Sequence, residues 1–139
     1  MAKILIVTED KLIRWSLKEI LTQEGYVTDT THGQKDFLNK VSNNLYDLIL
    51  ADLEIDRINS IEMQEIMTGI PRSTKIIILS SFDDYQTETL LGGLNILTVI
   101  KKPFSVEEIR ESAKKAFKLQ NLKEGRGNSI RDDENSKGS

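Results

Sequence analysis

Tyr46-Asp47-Leu48-Ile49-Leu50-Ala51-Asp52-Leu53 decides the fold of this chain. Its middle is a short, unbroken apolar run, the pattern of a strand buried on both faces. It runs directly into an acid, Asp52. Working outward, the same kind of run recurs as Ile4-Leu5-Ile6-Val7 before it and as Ile76-Ile77-Ile78-Leu79 after it. Between the runs, apolar residues fall at helical spacing: Ile13, Leu17, Ile20 and Leu21, closed by Gly25, and later Phe37, Leu38 and Val41. Strands alternating with amphipathic helices predict a parallel sheet covered by helices.

The remaining text fits that scheme. Tyr26 to Thr30 alternates more weakly and reads as an outer strand. Thr31 and Gln34 have the spacing of a capping box for the second helix, Asn59 and Glu62 for the third, and Ser105 and Glu108 for the last. Pro71 ends the third helical segment. Ser81 and Asp84 can cap the next, and Gly92-Gly93 breaks it. Ile96 to Ile100 reads as a fifth strand, and Ile109, Ala113, Ala116 and Phe117 give the last helix its core stripe. Five strand–helix units this short predict a flavodoxin-like (βα)5 α/β fold: a doubly wound parallel sheet of order 2-1-3-4-5 in three layers. Residues 1–122 would form this domain. Residues 123–139 hold one strongly apolar residue, Ile130, and are expected to be a flexible tail or a truncated linker.

Composition narrows the chemistry. The 139 residues contain no cysteine and one histidine, His32, so thiolate zinc sites, disulfides and histidine-rich metal sites are excluded. A net charge of -3 gives nucleic acid or an anionic membrane no advantage as a partner. No apolar run approaches the roughly 20 residues of a membrane span, and the expected compartment is the cytoplasm.

In an open α/β sheet, ligands bind beyond the carboxyl ends of the strands near the switch in strand order. The residues ending the strands are Thr8-Glu9-Asp10, Asp52, Ser80-Ser81 and Lys101-Lys102. Carboxylates, a hydroxyl and an ammonium would converge there from four segments. Such carboxylates repel unless a cation neutralises them, and oxygen-only ligands favour Mg²⁺. A carboxylate can act as a nucleophile and form an aspartyl phosphate, so the expected chemistry is phosphoryl transfer onto Asp52. Glu9 and Asp10 can alternatively be read as favourable acids at a helix N-terminus, and Ser81 as a cap. Trp15 reads as a packing or surface residue and His32 as a loop residue. An FMN site is disfavoured, because no Gly-rich or Ser/Thr-rich loop follows the first strand.

At these residues the chain resembles the receiver domains of response regulators in bacterial two-component signalling. The likeness runs from Lys3 to about Ile66 and from Lys75 to Phe117. It is carried by Ile4 to Asp10, Tyr46 to Leu53, Ile78 to Ser81, and Lys102-Pro103-Phe104. Lys11 to Glu19 looks like the receivers of enhancer-binding transcription activators. The resemblance implies Asp52 as phosphoacceptor, Ser80 as the switch hydroxyl, and Lys102 as the phosphoryl-binding lysine before a cis Pro103. It also implies a Mg²⁺ ion held by Glu9, Asp10, Asp52 and the backbone carbonyl of Glu54. The expected partners are a histidine kinase, an effector domain or partner protein, and a second copy of the domain. The chain would not be a turnover enzyme.

Several positions depart from that pattern. Thr8 stands where the first acid is usual, the stretch Glu54 to Ser60 lacks Pro and Gly, and Val99 replaces the aromatic switch. Gly92 to Thr98 is longer than usual. The departures cluster on the activation machinery and leave the core text intact. They open a second expectation: a pseudo-receiver that binds a partner without phosphorylation, through the helix after the fourth strand, the fifth strand and the last helix.

Overall fold

A computed structural model describes residues 2–52, 61–81 and 96–118. Strands β1 (Lys3–Val7), β2 (Val27–Thr30), β3 (Leu48–Asp52), β4 (Lys75–Ser80) and β5 (Ile96–Lys101) form one sheet. The described helices are α1 (Lys11–Gln23), α2 (Gln34–Asn43), α3 (Ile61–Thr68) and α4 (residues 106–118). Every strand pairing is parallel and the order is β2-β1-β3-β4-β5, the doubly wound, flavodoxin-like sheet expected from the sequence. The expected Asn59–Glu62 box, the Ser81–Asp84 cap, the Gly92-Gly93 break and the tail from 123 rest on positions outside the described residues.

β3 sits at the centre, with Leu48 against Ile4 on one side and Ile49 against Ile76 on the other. Because side chains alternate across a sheet, each buried strand feeds two cores. Ile4, Ile6, Leu48, Leu50, Ile77 and Leu79 face Leu17 and Leu21 of α1 and Ile109, Ala113 and Ala116 of α4. Leu5, Val7, Ile49, Ala51, Ile76 and Ile78 face Phe37 of α2 and Met63, Ile66 and Met67 of α3. The strands therefore read as continuous apolar runs, because both faces are covered. Glu24, at the end of α1, pairs with Arg110 (3.3 Å) and Lys114 (3.9 Å) of α4, which ties the two helices of one face.

Local signals explain most helix ends. Gly25 adopts a positive φ of 93°. Its amide donates to the Thr22 carbonyl and that of Tyr26 to the Leu21 carbonyl, the paired bonds of a Schellman ending. Ser105 and Glu108 form the expected box in both directions: the Ser105 amide donates to Glu108 Oε1 at 2.9 Å, and the Glu108 amide to Ser105 Oγ at 3.1 Å. The Thr31–Gln34 box does not form. Gly33, at φ 92°, turns the chain and becomes the N-cap of α2, with no side-chain cap bond. Asp36 instead accepts the His32 amide at 2.8 Å, while Thr31 is drawn into the interior.

Two outcomes follow from this packing. Thr74, buried beside the start of β3, donates its hydroxyl to the Tyr46 carbonyl at 2.7 Å. Thr74→Val should lower stability by about 1–2 kcal/mol, read as a lower urea midpoint at unchanged m-value. Asp36 is held below the ordinary carboxyl value of 3.8, first by the His32 amide and then by Lys40. A depressed carboxyl contributes stability above its ordinary value and loses it as pH falls through the lowered one. Asp36→Asn should therefore lower stability at pH 7. Urea unfolding at a series of pH values should show that difference closing as pH falls below 3.8.

Candidate functional site

β1, β3 and β5 end along one edge of the sheet, and the chain segments leaving them meet there. β3 delivers Asp52, the first polar residue after four buried apolar ones. The residue after β5 is Lys102, whose amide donates to the Ser80 carbonyl at 2.8 Å, extending the pairing of β5 with β4 by one step. The Lys102–Pro103 peptide bond is cis. From there the ammonium of Lys102 reaches Asp52, with Nζ 2.5 Å from Oδ1. Asp52 is only 8% exposed in its side chain and Lys102 18%. A charge so far removed from water requires a partner, and Lys102 supplies it.

The other carboxylate oxygen is held from β1. Thr8 Oγ1 donates to Asp52 Oδ2 at 2.7 Å and accepts the Asp10 amide at 3.1 Å. Thr8 is 2% exposed. Asp10 caps α1, its Oδ1 accepting the amides of Leu12 and Ile13 at 2.9 and 3.0 Å. Thr8, Glu9, Asp10, Asp52 and Lys102 line the polar side of a cavity of about 240 Å³, which continues between Phe37 of α2 and Met63 of α3.

The structure thus brings Glu9, Asp10, Asp52 and Lys102 to one cavity, as the sequence suggested. Ser80 is fully buried at the end of β4, and its carbonyl receives the Lys102 amide; among the described residues, Thr8 and Lys102 reach the Asp52 carboxylate. Glu54, Asp56 and Arg57 lie outside the described residues. Val99 packs against the core beneath α2 and α3. Lys101, Ser81 and His32 are exposed, and Trp15 is 63% exposed, a surface residue. The residue that sequence reasoning undervalued is Thr8. In sequence it stands where an acid is usual, yet a hydroxyl two residues before an amide is the signature of a local turn that fixes the side chain.

The donors around the cavity are oxygens and one ammonium, which suits a hard cation in kind. In number they are sparse: among the described residues, no group of three or more His, Cys, Asp or Glu side chains converges. Asp10 Oδ1 is committed to its own helix. Asp52 Oδ2, held by a neutral hydroxyl, is the oxygen best placed to serve a cation.

The family model of the response regulator receiver domain matches residues 4–114. The chain belongs to the response regulator receiver domain family. It is 32% identical over 118 residues to the sporulation initiation phosphotransferase F of Bacillus subtilis (strain 168), covering 85% of this chain and 95% of that one. It is 35% identical over 111 residues to the response regulator ArlR of Staphylococcus aureus (strain Mu50), covering 78% of this chain but only 49% of ArlR. This receiver domain therefore spans nearly all of one relative and about half of another. Among solved structures, the response regulator TrrA of Thermotoga maritima, in complex with Mg²⁺-BeF, superposes with a TM-score of 0.67 at 30% identity over 84% of this chain and 99% of that one. TrrA has also been solved in complex with the histidine kinase ThkA.

The Asp52–Lys102 pair is expected to behave as a unit. Lys102→Met should destabilise the domain by about 2 kcal/mol, because the nearly enclosed Asp52 carboxyl loses its cationic partner. Asp52→Asn in the Lys102→Met background should recover most of that loss, so urea unfolding of the four proteins should give a clearly non-additive cycle.

Proposed function

We propose that this receiver domain accepts a phosphoryl group on Asp52 from a histidine kinase, and that the modified state regulates an effector domain or a partner protein. The observation that carries this reading is the placement of Asp52: a carboxylate at the open edge of the sheet, facing a cavity, with an ammonium on one oxygen. In the reaction, an oxygen of Asp52 attacks phosphorus as the bond from phosphorus to the donor's imidazole nitrogen breaks. The electron pair leaves with the imidazole, which takes up a proton, and Asp52 becomes an acyl phosphate. Lys102 is positioned to bind the phosphoryl oxygens during transfer. The domain is a substrate that helps its own modification and does not turn over.

Asp52 and Glu9 are the side chains that would hold Mg²⁺, completed by water and by the Glu54 carbonyl proposed from the sequence. Bound there, the ion would neutralise charge on the phosphoryl oxygens. With Thr8 in place of an acid and Asp10 engaged as a cap, that hold would be weak. The TrrA complexes with Mg²⁺-BeF and with a histidine kinase support both parts of the reading by similarity. The cytoplasm is the matching compartment, and no helix of the described residues is long and apolar enough to cross a membrane.

One observation favours a second reading, a receiver that binds its partner without phosphorylation: both oxygens of Asp52 are already satisfied within the protein, by Thr8 and Lys102. Intact-protein mass after incubation with a small phosphodonor and Mg²⁺ separates the two. The phosphoacceptor reading expects the gain of one phosphoryl group, lost without Mg²⁺ and in Asp52→Asn. No gain in a folded sample would establish the second reading instead.

A further inference from the structure

Among the described residues, Thr8 joins Asp52 to the start of α1. An ionised carboxylate can only accept and a backbone amide can only donate, so the two bonds of the Thr8 hydroxyl have fixed directions. It takes a proton bond from the Asp10 amide and gives its own to Asp52 Oδ2. Its backbone carbonyl accepts Arg14 Nη2 at 2.8 Å, one turn further along α1. Asp10 in turn caps α1 through the amides of Leu12 and Ile13. At 2% exposure, Thr8 has little access to water that could take over either bond.

We infer that Thr8 is a positioning residue that sets the orientation of the Asp52 carboxylate and couples its chemical state to the first turn of α1. The inference rests on the reading of Asp52 as phosphoacceptor. In the unmodified domain, Thr8 on Oδ2 and Lys102 on Oδ1 hold the carboxylate from opposite sides. An adduct on either oxygen draws negative charge out of the carboxylate and weakens the charge-assisted bond from Thr8. The hydroxyl must then shift, and its second bond leads straight to the amide of the α1 cap. The start of α1 presents two exposed apolar side chains, Leu12 in the first turn and Trp15 just after it. Trp15 is the only tryptophan of the chain, so it reports on this turn without labelling.

The test uses the full chain with beryllofluoride and Mg²⁺ as the phosphoryl mimic and two separate readouts. Bound fluoride, seen by ¹⁹F NMR, reports the adduct on Asp52, and Trp15 emission reports α1. The wild-type chain should show both a bound-fluoride resonance and a saturable change in Trp15 emission, each absent in Asp52→Asn. Thr8→Val keeps the β-branched shape and removes both hydroxyl bonds. Because the Thr8 bond is stronger to the free carboxylate than to the adduct, this variant should bind the mimic at least as tightly as the wild-type chain and, once saturated, leave Trp15 unchanged. Thr8→Ser restores the hydroxyl and should restore the Trp15 response; with Thr8→Ala as a second hydroxyl-free variant, the comparison stands even where Val at this position perturbs folding. Bound fluoride with the same Trp15 response in the hydroxyl-free variants as in the wild-type chain would overturn the role of Thr8 and leave Asp52 as acceptor. Absence of bound fluoride in the wild-type chain would overturn the acceptor reading and this inference with it.

Discussion

The charge on Asp52 is the constraint around which the domain is arranged. β3 is covered on both faces, and it ends in a carboxylate that is nearly enclosed. Such a charge must be matched locally. The match comes from both flanks of the central strand: Lys102 follows β5, two places to one side, and Thr8 follows β1, immediately to the other. The pairing therefore fixes where three strands end. The cavity lies at that edge, near the switch in strand order.

Most of the architecture was legible because burial on two faces leaves a plain trace. The runs at β1, β3 and β4 are apolar without interruption, and each strand supplies alternate residues to two cores. Gly25 and the Ser105–Glu108 pair marked helix ends correctly because their geometry depends on residues within a few positions of each other. Asp52 and Lys102 were legible for a different reason: an acid at the end of a buried strand and a lysine before Pro103 both sit where the topology places the ligand edge.

The failures were of tertiary origin. Thr31 has the right spacing to Gln34 for a cap, yet interior packing claims it, and the left-handed Gly33 starts the helix instead. Substitution of an acid by Thr8 reads in sequence as a loss. Only in three dimensions does it become a directed hydrogen bond, because its meaning depends on Asp52, 44 residues away.

The irregular register of β5 has a consequence of another kind. Ile76 pairs with Ile96, but Ile77 pairs with Thr98, so Leu97 is an extra residue in the ladder. In the order β2-β1-β3-β4-β5, this strand is outermost. A flat outer strand offers unpaired amides and carbonyls to any other extended chain and invites fibril growth; a bulge bends and twists it away from that geometry. At the opposite margin, β2 is only four residues long and carries Asp29, paired with Lys3 at 3.6 Å. Both margins of the sheet are thus poor templates for unwanted strand addition, and growth of the sheet from one copy to the next is disfavoured at either end.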